Sequence, residues 1–137
     1  MKKIVKRACA GMFAALMAVS AMSVPSSAAC ASGVVGLGTT AGGCCSIDAD
    51  GAYAYTYASS SITLNVNLSY SYINVSKNQV IHKGSSNANN PVSRIDTWYT
   101  KPSGHYRSYS CSSSHNASFS LGGKSYHWSG STGIEYY

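Results

Sequence analysis

Acidic side chains are scarce: Asp48, Asp50, Asp96 and Glu135 are the only four in 137 residues. With so few carboxylates the inventory for general acid–base catalysis is close to empty. A Gly-x-Ser-x-Gly elbow is missing as well. Ser with His and Asp96, or Cys111 with His115, can be nominated for hydrolysis, but neither set carries a motif. Serine is so abundant that its nearness to a histidine is expected by chance. The chain therefore reads as non-enzymatic and without a cofactor.

Metal sites are poorly provided for too. His82, His105, His115 and His127 are scattered with no ligand-like pair among them, and a metal needs donors converging on one point. Asp48-x-Asp50-Gly51 opens like a calcium loop, yet Ser59 stands where the bidentate Glu belongs, so an ordinary turn is expected. Basic clusters are confined to the N-terminus, where Lys2, Lys3, Lys6 and Arg7 fall within the first seven residues. Beyond them six cations (Lys77, Lys83, Arg94, Lys101, Arg107, Lys124) face the four acids, a net charge of +2. That balance offers almost no counterion release, which argues against nucleic acid.

The N-terminal charges precede an apolar, Ala-rich run over residues 8–22 and a small-residue exit at residues 24–29. This is the pattern of a secretory signal peptide, residues 1–29, and it is the only membrane-directed segment in the chain. Cleavage after Ala29 and cleavage after Ala31 both satisfy the small-residue rule. The run Ser27-Ala28-Ala29-Cys30 also approaches a lipoprotein site, which would place a lipid on Cys30. A secreted location follows, extracellular or held at the cell surface.

What the rest of the chain has is alternation of period two. Residues 62–72 place Ile62, Leu64, Val66, Leu68, Tyr70 and Tyr72 on one side of a long strand and small polar residues on the other. Residues 53–57 alternate Tyr with Ala and Thr. A turn at Ser59 to Ser61 would fold this segment back, pairing Tyr57 with Ile62, Tyr55 with Leu64 and Tyr53 with Val66. Residues 77–82 read as a short strand, residues 84–91 as a loop by composition, and residues 92–100, with Trp98, as a strand. Residues 105–121 form one strand, bulged near Ser112 to Ser114, with Tyr109, Cys111, Ala117, Phe119 and Leu121 on its apolar side. Gly122-Gly123 then makes a hairpin pairing Leu121 with Lys124, Phe119 with Tyr126, Ala117 with Trp128 and Ser118 with His127. The expected architecture is a small all-β antiparallel sandwich of immunoglobulin-like layout with six to eight strands, over residues 52–137. Residues 30–51 read as a flexible Gly- and Cys-rich leader, or as an edge strand around Val34 and Leu37.

Cys30, Cys44, Cys45 and Cys111 are disulfide candidates in an exported chain. Cys111 is expected to bridge to Cys45 or Cys44, since adjacent cysteines seldom bond each other. Of the eleven tyrosines and two tryptophans, most should fill the core, leaving Trp98, Tyr99 and Tyr106, with His127, as a recognition surface. The segments Gly104-His-Tyr-Arg-Ser-Tyr, Ser-His-Asn-Ala-Ser-Phe, Gly122-Gly-Lys and Ser-Gly-Ser-Thr-Gly-Ile-Glu-Tyr136 resemble the C-terminal end of small secreted β-rich proteins of Gram-positive bacteria, whose role is uncharacterised. The run Ser-His-Asn-Ala-Ser-Phe before Gly-Gly-Lys also looks like secreted bacteriocins of the lactococcin-972 type, a smaller and cysteine-poor group. The aromatic faces flanked by Asn and Ser, with no reaction machinery beside them, point to a non-catalytic recognition module for an extracellular ligand, a cell-envelope glycan or a protein. The bacteriocin likeness implies an antagonist of neighbouring cells.

Overall fold

The computed structural model describes residues 27–137, so the expected signal peptide lies outside the described residues except for its last three. Among the described residues every regular element is a strand: β1 (Ser27–Gly36), β2 (Thr39–Asp48), β3 (Gly51–Asn74), β4 (Gln79–Thr100), β5 (Tyr106–Leu121), β6 (Lys124–Ser131) and β7 (Glu135–Tyr136). All pairings are antiparallel. They build one seven-stranded sheet in the order β1-β2-β3-β5-β6, with β4 on the free side of β3 and β7 beside β5.

The 24-residue β3 belongs to both layers of the fold. Its first half pairs with β2 and the second half of β4, and its second half pairs with β5 and the first half of β4. Between them the β3–β4 register breaks around Ile62, where Ser59, Ser60 and Ser61 are exposed. Pro91 lies in β4 at the same corner, where a residue without an N–H costs the ladder least. Strands that bend there carry the sheet from one layer into the other. On one side the two halves of β4 approach each other, Ser85 Oγ to Thr97 Oγ1 and Asn87 Nδ2 to the Asp96 carbonyl. On the other, β1 backbone at Gly33 and Gly36 lies against the rings of Trp128 and Tyr126 in β6. The result is an antiparallel sheet folded into a nearly closed, barrel-like body.

The interior is one parity of β3 throughout. Ala52, Ala54, Ala58, Ile62, Leu64, Val66, Leu68, Tyr70 and Tyr72 share the main core, with Cys45, Ile47, Cys111 and Ala117 from the strands facing them. That constancy of phase is why the expected turn at Ser59 to Ser61 does not form. Three serines supply no residue suited to the positive φ of a two-residue hairpin turn, and the chain continues through the bend as one strand. Tyr53, Tyr55 and Tyr57 therefore pair with Trp98, Asp96 and Arg94, while Leu64 and Val66 pair with Asn89 and Asn87. The tyrosines take the face opposite the core and form a second cluster with Cys44.

Three further expectations are corrected. Residues 84–91 are strand, not loop, because short polar side chains serve on an edge strand whose one partner is β3. Residues 30–51 are not a flexible leader but most of β1, all of β2 and the turn after it, so that the alternative of an edge strand around Val34 holds; Val35, Ala41 and Ile47 are buried, which ties them to the core. The irregularity in β5 falls at Tyr109, not at Ser112 to Ser114: Ser71 faces Ser110 and Tyr72 faces Ser108. One extra residue reverses the facing, so Ser108 turns inward and Tyr109 outward.

The β5–β6 hairpin matches its expected register at every pair named above. Gly122 and Gly123 both take positive φ, 59° and 75°, the conformation that a primed turn demands. The Asp48 turn is also as expected, with Oδ1 accepting the N–H groups of Asp50 and Gly51.

Candidate functional site

An open groove of about 600 Å³ lies where the β3–β4 corner meets the end of the β5–β6 hairpin. Its aromatic part is Phe119 and Tyr126, cross-strand partners whose rings stack with centroids 4.9 Å apart and planes 19° from parallel. Both are half-buried and pack on the core, which holds the rings still. Around them stand Ser61, Thr63, Asn90, Ser118, Ser120 and Ser125, with the exposed His127 at the rim. Among the described residues no Lys, Arg, Asp or Glu lines the groove. Hydroxyls donate and accept, and an amide does both, so the walls suit a neutral ligand rich in hydroxyls.

Inside the barrel a chain of polar groups crosses from β3 to β2. His115 is fully buried; its Nδ1 is 2.8 Å from Thr56 Oγ1 and its Nε2 is 2.6 Å from Ser113 Oγ. Ser113 Oγ reaches Thr132 Oγ1 at 3.2 Å, and Thr132 Oγ1 reaches Cys45 Sγ at 3.1 Å. Cys45 Sγ in turn lies 3.6 Å from Cys111 Sγ. The imidazole fits because β2 has no side chain at Gly43: a Cβ there would lie 2.1 Å from His115 Nδ1. Burial lowers the His115 pKa to about 4, so the ring is neutral and both its nitrogens are matched to hydroxyls. The Cys111 thiol beside Cys45 draws its pKa down to about 7 against the opposing effect of burial.

The other acid–base candidate is elsewhere. Asp96 projects from the opposite face of the sheet, paired with Arg94 at 3.0 Å and accepting a hydrogen bond from the Tyr53 hydroxyl. Arg94 also lies over the Tyr55 ring, 4.0 Å from its centroid. The sheet itself separates Asp96 from His115. Cys111 and His115 share the interior face, with Ser113 between them in the strand.

Of the four residues expected to form a recognition surface, the groove contains His127 alone. Tyr99 and Tyr106 sit toward the other end of the barrel, packed around Tyr72 with centroids 6.4 and 5.4 Å from it. Tyr70 joins this plug, its hydroxyl 2.8 Å from Ser108 Oγ, and burial pushes its pKa up to about 12. Trp98 alternates outward from the buried Thr97 and is 51% exposed, away from both groups. Phe119 and Tyr126 were legible as partners from the Gly-Gly hairpin, and their meeting with Asn90 and Thr63 depends on the β3–β4 corner, for which the sequence has no local sign.

The disulfide candidates divide by face. Cys30 and Cys44 are opposite each other in β1 and β2 and are bonded, Sγ to Sγ 2.14 Å. Cys45 and Cys111 are both buried on the interior face, Sγ to Sγ 3.6 Å. Comparison of the chain with protein-family models, with curated proteins and with solved structures found no match.

Proposed function

We propose that this chain is an exported, non-catalytic recognition module whose groove takes a neutral, hydroxyl-rich ligand, a glycan of the cell envelope. The observation that carries this reading is the lining: a fixed aromatic pair flanked by hydroxyls, an amide and an imidazole, with no formally charged side chain among the described residues. Concave sites with an apolar floor and a few placed polar groups are the common form of small-ligand recognition. A sugar ring offers the matching surface, C–H faces for the rings and hydroxyls for Ser, Thr and Asn. Export is supported by the leader pattern at residues 1–29 and by the Cys30–Cys44 bond, which belongs to oxidising compartments.

The test is retention of the purified protein on isolated cell walls, with release by soluble neutral oligosaccharides. Asn90→Ala and His127→Ala change exposed positions and leave the core intact. Each should weaken binding by about 5- to 30-fold, the value of one or two hydrogen bonds at a site. Retention that survives both substitutions, or that no neutral saccharide competes, would defeat this reading.

A second reading, a secreted antagonist of neighbouring cells, is favoured by one observation. Leu37 and Leu121, each 62% exposed, stand at or beside the tips of the β1–β2 and β5–β6 hairpins. Gly36 lies against Tyr126, so the two tips share one end of the molecule. Inhibition of sensitive cultures, abolished by Leu37→Ser with Leu121→Ser, is what this reading requires.

A further inference from the structure

Adjacent residues of a strand face opposite sides of a sheet, and β2 has cysteine at two adjacent positions. Cys44 faces outward and is bonded to Cys30 of β1. Cys45 faces the interior, where its Sγ lies 3.6 Å from that of Cys111 in β5, with both residues 2% exposed or less. We propose that Cys45 and Cys111 form a second disulfide in the exported protein, so that β2 is stapled outward to β1 and, across the barrel interior, to β5.

The geometry asks for little. A disulfide needs the sulfurs about 1.5 Å closer than they stand, the difference between 3.6 Å and a bond length near 2.05 Å. Among the described residues no other thiol competes, because Cys30 and Cys44 already hold each other. The neighbouring Thr132 does not depend on Cys45 for its place, since its Oγ1 also accepts the Ser113 N–H at 2.8 Å. The pairing resolves the choice that the sequence left open for Cys111: Cys44 is on the wrong face and already used.

The chemistry is thiol–disulfide exchange with an oxidised dithiol catalyst or glutathione disulfide. The Cys45 thiolate attacks the oxidant's disulfide, releasing one oxidant thiolate and leaving a mixed disulfide. Cys111, losing its proton, attacks the Cys45 sulfur and expels the second oxidant thiolate. Two electrons pass to the oxidant, which becomes a dithiol or two thiols on taking up the two protons. Because the pair is buried, the exchange belongs to folding, before the two layers close over it.

This proposal needs an oxidising environment, and only in that respect does it rest on the export reading. The test separates the two by refolding the reduced chain, residues 30–137, in a glutathione redox buffer as well as isolating the exported protein. Both samples are alkylated with maleimide in denaturant and mapped as unreduced peptides. The expected result is no maleimide adduct, with one linked pair joining Cys30 to Cys44 and another joining Cys45 to Cys111. Cys111→Ser should then carry a single adduct, at Cys45, keep the Cys30–Cys44 pair, and unfold about 10–20 °C lower. Two adducts on a refolded native chain, or a map joining Cys111 to Cys44, would overturn the second bridge whatever the compartment. A refolded chain with both bridges and an exported one with two free thiols would overturn it for the protein in its own setting.

Discussion

His115 links one residue to the acid stability of the whole protein. Its folded pKa of about 4 lies below the 6.5 of an unperturbed imidazole, because burial penalises the charged ring. The unfolded chain takes up a proton as pH falls below 6.5 and the folded one does not. The stability His115 holds is therefore complete above pH 6.5 and is lost progressively as pH falls to about 4, by roughly 3 kcal/mol. Urea midpoints measured from pH 7.5 down to 4 should fall accordingly. His115→Gln, which retains polar contacts but cannot titrate, should start about 2 kcal/mol lower and lose less on acidification. Parallel slopes in the two proteins would show that His115 is not the group responsible. Gly43 belongs to the same residue-scale argument, since the space it leaves is what lets a large polar ring occupy a barrel interior.

At the scale of the strand, a local turn signal was readable where it was stereochemically forced, and misleading where it was compositional. Gly122-Gly123 sits at positive φ, so the whole β5–β6 register follows from two residues. Gly122→Val would force a β-branched side chain into that conformation and should cost about 1–2 kcal/mol. Thermal unfolding of that variant measures the loss, with Ser120→Val as a control that leaves the turn alone. Ser59 to Ser61 and residues 84–91, by contrast, look like turn and loop only because they are polar. Residues 84–89 are strand because they lie along β3, which supplies the ladder, and Ser59 to Ser61 carry β3 on across the break in its register with β4. The tyrosines at 53, 55 and 57 were misplaced for a related reason. Their bulk invites burial against Ile62 and Leu64, but the core-facing parity of β3 had already been taken by Ala52, Ala54 and Thr56, which leave space for His115 and Ile47. Half of the groove was visible in the hairpin register. The other half, Ser61 to Thr63 with Asn90, exists only because two long strands bend together, a tertiary fact that no window of sequence contains.

For the whole molecule, the Cys30–Cys44 bond constrains how the N-terminus is processed. A sulfur in a disulfide is not available for thioether linkage to a lipid, and a chain cut after Ala31 has no Cys30 at all. On the export proposed above, the mature protein should therefore begin at or before Cys30 and carry no lipid, as its intact mass will report. A lipid-sized excess, or a first residue of Ser32, would contradict the bond. Charge gives the last test, because it distinguishes recognition from adhesion. Beyond residue 29 the chain carries six cations and four acids, and none of them lines the groove. The Debye length shrinks from about 10 Å at 0.1 M salt to about 3 Å at 1 M, which removes most attraction between exposed charges and leaves stacking and hydrogen bonds nearly untouched. Retention on cell walls through the groove should thus change by less than about twofold across that range. Adhesion of a basic protein to an anionic wall would fall by tenfold or more over the same interval, and such a fall would place the contact on the exposed lysines and arginines instead of Phe119, Tyr126 and Asn90.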